Sequence, residues 1–381
     1  MEILIGADLV PTKSNEDVFC KKNFIGYLGE DFKNIWLKAD YRMFNLETPL
    51  GNLDYKPIDK NGPNLLANSE TINGIKSLNP DLVFLANNHI LDYGEDALAN
   101  TIKLLENNKI DYTGIVDNIN KRLIPKIIEK DGIKIGIYNV CETEFSAPTE
   151  KNCGANIIKE VESYKIVNEL KKACNFVFVI YHAGKECYRY PSPDLKRICE
   201  NFVDFGADVV ITQHSHCIGC KQIYKDKTII YGQGNFIFDD CDDEYWNTAI
   251  LIDIFIEKGK LNIKYIPIEK SNNLIKISSN SEILENFNTR SKEIEDNSFI
   301  ENKYSEFANK NINSYLHMAS GIRMYNRILN RLSKRKYFEK KYNKKDCLAL
   351  LNIIECEAHR ELFIRGLKEK IKEYQNGDKS E

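Results

Sequence analysis

Asp208-Val209-Val210-Ile211-Thr212-Gln213-His214-Ser215-His216 is the stretch on which the reading of this chain turns. A short apolar, β-branched run reads as a buried strand, and two histidines stand where that strand ends. In layered α/β folds, loops and ligands gather at the carboxyl ends of strands. If the chain stays extended through the motif, alternate residues project the same way, and both imidazoles reach neighbouring cations. Moving outward, the same pattern recurs. Asp8 follows the run Glu2–Gly6, Glu47 follows Tyr41–Leu46, and Asn87-Asn88-His89 follows Asp81–Ala86, with Asp92 three residues on; His182 follows Phe176–Tyr181. Four of the six histidines occupy such positions, while His317 and His359 lie in a later, helical segment. Neutral imidazole suits Zn, Mn, Fe or Ni, and carboxylates and an amide oxygen add hard ligands. A set that includes an acidic residue able to bridge points to two cations, which activate water and clamp both oxygens of a displacement. The residues therefore predict a metal-dependent hydrolase or transferase.

The remaining strand candidates are Lys134–Val140, Thr228–Tyr231, Ala249–Glu257 and Leu261–Pro267. Helices are expected at Asp96–Asn107, Glu160–Ala173 and Asp194–Phe205. Strands alternating with helices predict a layered α/β architecture, and the late strands, with no helix between them, predict a partly antiparallel sheet. After residue 270 the chain becomes charged and poor in glycine, with Tyr325, Ile328, Leu329 and Leu332 on one helical face. The expected organisation is one domain over 1–270 and a helical appendage over 271–381.

With 381 residues, 43% hydrophobic and 29% charged, the composition is that of a soluble globular protein. A formal net charge of −3 argues against a mainly nucleic-acid-binding surface. Met1 leads straight into Ile3-Leu4-Ile5 without a basic region or cleavage site, so a first strand is expected there and not a signal peptide. There is no apolar run of roughly 18 residues, so no membrane span is expected. Eleven scattered cysteines suggest free thiols and a cytoplasmic setting.

Taken together, the motifs resemble the CapA, or poly-γ-glutamate capsule-synthesis, family, whose fold is that of the calcineurin-like metallophosphoesterases. The resemblance spans roughly 1–270. It rests on Gly6-Ala7-Asp8, Asn45-Leu46-Glu47, Asn87-Asn88-His89-Ile90-Leu91-Asp92-Tyr93-Gly94, Tyr181-His182-Ala183-Gly184-Lys185-Glu186, Gln213-His214-Ser215-His216 and Tyr231-Gly232-Gln233-Gly234-Asn235-Phe236. It implies a four-layer α-β-β-α sandwich with a C-terminal helical appendage, and one or two divalent transition metal ions, Mn, Zn or Fe. By similarity, Asp8, Glu47 and His216 hold one metal. Glu47 bridges to a second, completed by Asn88, His182 and His214. His89 becomes the general acid, oriented by Asp92. Phosphoesterases of this fold begin Asp-x-His, whereas here Val10 takes the histidine position and Glu47 stands where they carry Asp. Both departures are shared by CapA-like proteins, and they leave the first metal with fewer ligands.

The implied function is a CapA-like hydrolase or transferase acting on an amide or ester bond of a carboxylate-rich peptide, capsule or cell-envelope precursor. A phosphoesterase, a peptide epimerase of the same fold and a non-catalytic scaffold of polymer assembly are the alternatives. The substrate is a small molecule, a peptide or an anionic polymer, and the oligomeric state is left open. In the loop Lys185–Pro193, Lys185, Glu186 and Arg189 are candidate substrate contacts, and Lys60–Asn64 is a second candidate rim loop. Cys217-Ile218-Gly219-Cys220 reads as packing, because no second cysteine pair accompanies it. Gly232-Gln233-Gly234-Asn235 reads as a tight turn, since the Walker spacing and lysine are absent. The basic run from Arg331 to Lys345 reads as a solvated helix face, with an anionic polymer or nucleic acid as the alternative.

Overall fold

The apolar runs pair into two large sheets in a computed structural model, which describes the chain except for residues 53, 239–242, 244, 322–323 and 378–381. In the first sheet Glu2–Val10 is central. It pairs in parallel with Tyr41–Leu46, and the parallel ladder continues through Leu82–Phe84 to Asp111–Thr113. On its other side it pairs antiparallel with Thr248–Glu257, followed by Lys260–Ser271 and Leu274–Ile277. The second sheet runs Lys126–Lys130, Ile133–Cys141, Phe176–His182, Val209–Gln213, Lys227–Gln233, Ile218–Tyr224. Its inner strands are parallel and its two edge pairings antiparallel.

Strands buried on both faces read as nearly continuous apolar runs, which is why these segments were visible in the sequence. Ile3, Ile5, Met43 and Phe84 from the first sheet meet Ile135, Ile137, Phe178, Ile180 and Ile211 from the second in one buried cluster. Helices Glu30–Lys38 and Gly94–Asn107 cover the outer face of the first sheet through Phe32, Trp36, Leu98 and Leu105. Helices Glu160–Ala173 and Pro193–Asp204 cover the second through Val167, Leu170, Ile198 and Phe202. The architecture is thus four layers, α-β-β-α, with a helical C-terminal region.

Several details differ from expectation. The first strand extends to Val10, because Asn235–Phe238 pairs in parallel with its last residues; Asp8 lies inside the strand and not beyond it. Lys126–Lys130 and Ile218–Tyr224 are strands that the sequence hid, the former a charged edge with little apolar content and the latter containing Gly219. Finally, the chain divides into compact units at Met1–Glu301 and Asn302–Glu381, later than the change in composition at 270. The sheet continues through Ile268↔Ile277, and Phe287 of helix Glu282–Glu293 packs with Ile218 and Ile250. The second unit consists of helices, among them Met324–Leu332, Lys344–Glu355 and Glu357–Gly377. Inside it, Phe338 is buried and stacks on His317, with ring centroids 4.7 Å apart.

Candidate functional site

Five segments, one inside a strand and the others at strand ends and turns, bring Asp8, Glu47, Asn88, His182, His214 and His216 together, all of them buried. The pairing register of Glu2–Val10 shifts between Ile5 and Asp8, a bulge that re-aims the carboxylate. Gly6 is required there, since a Cβ would stand 2.7 Å from the Phe236 ring. Asp8 is held at both oxygens: Asn45 Nδ2 donates to Oδ1 at 2.8 Å and the His214 backbone N–H donates to Oδ2 at 3.1 Å.

His182 is the last residue of its strand. Its Nε2 lies 3.0 Å from Asn88 Oδ1 and 3.2 Å from Glu47 Oε1. The strand Val209–Gln213 ends before the His-x-His motif, so extended geometry is not what orients the two imidazoles. His214 and His216 instead adopt φ of 84° and 51°. Left-handed backbone at two non-glycine residues costs energy and recurs where a site needs a particular aim. The ring centroids stand 6.0 Å apart. His216 Nδ1 pairs with Asn235 Oδ1 at 2.9 Å, and its Nε2 faces Glu47 Oε1 at 3.9 Å. A partner on one ring nitrogen fixes the tautomer and leaves the other free for a cation. Asn235 is delivered by the turn at Gly232 and Gly234, whose φ values of 83° and 81° fit glycine.

Both carboxylate oxygens of Glu47 and Nδ1 of His214 are buried without a hydrogen-bond partner. Burial, reinforced by the Asp8 charge, pushes the Glu47 carboxyl up to about 8. Burial draws His182 down to about 4 and His214 well below its ordinary value. Such groups are expensive to bury alone and are satisfied by a shared cation. Ligand atoms of Asp8, Glu47 and His216, and separately of Glu47, His182 and His214, lie within 4.8 Å of one another. The donor set is therefore of a kind that fits divalent cations, and Glu47 belongs to both groups. The exposed carboxylate of Glu186 forms a third such group with His214 and His216.

His89 Nδ1 lies 2.6 Å from Asp92 Oδ2. Burial pulls this imidazole down, but the Asp92 hydrogen bond and the charges of Glu47 and Asp92 outweigh it and leave it raised. Asp92 also accepts from the Leu65 N–H at 2.6 Å and pairs with the buried ammonium of Lys60. Lys185 is exposed. Arg189 is half-buried, donating to the Ile218 carbonyl at 3.2 Å with its guanidinium 4.5 Å from the Tyr245 ring centroid.

Sequence reasoning singled out neither Asn45 and Asn235 as holders of Asp8 and His216, nor Lys60 as a partner of Asp92. It also missed Trp246, whose ring stacks on His216 at 4.8 Å and 19° while Phe238 meets it edge-on. The Asn45-Leu46-Glu47 and Gly234-Asn235 motifs contained the first two, but asparagine carries no spacing signature of its own.

The family model for bacterial capsule synthesis protein PGA_cap matches residues 6–240. The chain belongs to the PGA_cap family. The matched segment contains every candidate ligand as well as His89, Asp92 and Asn235. Among curated relatives, capsule biosynthesis protein CapA of Bacillus anthracis is 28% identical over 236 residues, covering 57% of this chain and 56% of that protein. PGA biosynthesis protein CapA of Bacillus subtilis (strain 168) is 28% identical over 211 residues, covering 54% and 55%. The PGA_cap chain thus spans about half the length of the curated relatives it matches. A crystal structure of a hypothetical protein from Thermus thermophilus aligns over 71% of this chain and 100% of its own, at 13% identity and a TM-score of 0.45.

Proposed function

We propose that this PGA_cap-family chain is a metal-dependent hydrolase or transferase acting on an amide or ester bond in a carboxylate-rich peptide, capsule or cell-envelope precursor. The observation that carries the proposal is Glu47, a fully buried carboxylate with neither oxygen hydrogen-bonded, set among histidines drawn down toward their neutral form. The names of the two CapA relatives, capsule and PGA biosynthesis, support a carboxylate-bearing polymer or its precursor as substrate. In this reading Asp8, Glu47 and His216 hold one cation, and Glu47, Asn88, His182 and His214 hold the other, the ions being Mn, Zn or Fe. Bound there, the cations supply Lewis acidity and lower the pKa of a water.

The protein's own groups do the rest. Asn45 and the His214 N–H fix Asp8, and Asn235 fixes the His216 ring. His89, held by Asp92, which in turn is held by Lys60, keeps a proton to deliver to the leaving group. Lys185 on the exposed loop meets substrate carboxylates, and the Arg189 side chain shapes the loop's base.

Elemental analysis of the purified protein tests the site. Wild type is expected to retain a divalent transition metal that His182→Ala and His214→Ala lose while still folded; a folded, metal-free wild type would sink the proposal. Assays on γ-linked glutamyl peptides and on p-nitrophenyl phosphates then separate the chemistries. Phosphate turnover lost in His89→Ala favours a phosphoesterase, and retained metal without any turnover favours a scaffold.

A further inference from the structure

Charge is divided unevenly along the chain. Asn302–Glu381 holds 18 Lys and Arg against 10 Asp and Glu, whereas Met1–Glu301 holds 35 against 46. Half of that basic content is concentrated from Arg327 to Lys345, where nine basic residues face one acidic residue, Glu339.

Within this stretch, helix Met324–Leu332 is inverted relative to the usual amphipathic arrangement. Its asparagines face inward: Asn326 is fully buried and donates to the Gly321 carbonyl at 3.0 Å, and Asn330 accepts from Asn313 at 3.2 Å. Its apolar side faces water, with Tyr325, Ile328 and Leu332 exposed by 53%, 51% and 76%. A helix in a folded unit ordinarily turns its apolar stripe toward the core. Arg327 and Arg331 are exposed one helical turn apart beside that stripe, and with Lys334 and Arg335 they line one concavity.

We propose that this face docks on an anionic lipid bilayer. An exposed apolar stripe bordered by basic residues matches the acyl boundary below and the phosphate layer above it. Long basic side chains reach the headgroups while their stems lie along the apolar surface. A soluble polyanion would satisfy the charges but offers nothing to Ile328 and Leu332, which decides between the two. Docking on the surface also agrees with the helices: among the described residues, none is long and apolar enough to cross a membrane.

Co-sedimentation of the full chain with lipid vesicles tests this. Binding is expected to phosphatidylcholine vesicles containing phosphatidylglycerol and not to phosphatidylcholine alone, and to weaken steeply between about 0.1 and 1 M salt. The Arg327→Glu/Arg331→Glu pair is expected to weaken it at least about tenfold. Ile328→Ser/Leu332→Ser should abolish it at unchanged helix content by circular dichroism. If that pair loses helix content, Leu332→Ser alone replaces it, since the side chain is already in water. Equal binding to neutral vesicles, or unaltered binding by either variant, overturns the proposal. So does preference for soluble polyglutamate, or a vesicle-free dimer by light scattering that Leu332→Ser dissociates. Metal content is untouched by these variants, so the result stands apart from the proposed site.

Discussion

Two residues outside the ligand set carry consequences of their own. Lys60 enters from a loop distant in sequence, and its ammonium is buried against Asp92. Removing one partner of a buried ion pair leaves the other charge unsatisfied, so Lys60→Met is expected to cost about 3 kcal/mol, read by chemical denaturation. An unchanged midpoint would show that Leu65 N–H and His89 suffice to hold Asp92. Glu186 belongs to the cluster with His214 and His216. Glu186→Gln is expected to weaken affinity for one cation several-fold in calorimetric titration while sparing the other; a change confined to substrate KM would return it to the role of a substrate contact. At this scale the sequence was informative for groups with distinctive chemistry. Histidines and acids at strand ends stood out, whereas Asn45 and Asn235 matter through one hydrogen bond each, which no local pattern encodes.

Among the elements, inner strands were legible because burial on both faces demands uninterrupted apolar residues, as in Val177–Tyr181 and Val209–Ile211. Edges were not. Lys126–Lys130 alternates half-buried and exposed positions and carries lysine at both ends, as an edge exposed to water should. The bulge in Glu2–Val10 was equally hidden, because it shows only in the pairing with Tyr41–Leu46 and Asn235–Phe238, both distant along the chain. Gly6 marks that crossing. Phe236 lies within 5.0 Å of the Trp36 ring and cannot retreat from an added side chain. Gly6→Val should therefore destabilise the fold by about 3 kcal/mol and displace Asp8, lowering metal content with it. Full stability in thermal unfolding would refute the packing argument.

For the molecule as a whole, the buried site sets a pH dependence. Between its ordinary 4.5 and about 8, Glu47 keeps its proton only when folded, so stability falls as pH rises through that window. His182 works in the opposite sense from about 4 to its ordinary 6.5, where only the unfolded chain takes up the proton. Above 6.5 that contribution is exhausted, and His89, raised from 6.5, adds to the decline. The metal-free protein should therefore lose thermal stability between pH 6.5 and about 8, and a divalent cation should flatten the profile. A flat profile in chelator would contradict the burial of a Glu47 that lacks hydrogen bonds. The chain's two tryptophans divide the reporting of these events between them. Trp36 is sealed beneath the first sheet, donating to the Leu78 carbonyl at 2.7 Å, and its emission follows global unfolding. Trp246 lies flat against His216, where a paramagnetic ion such as manganese would quench its light and zinc would not. The protein thus carries a built-in optical probe that can tell one candidate metal from another without any label.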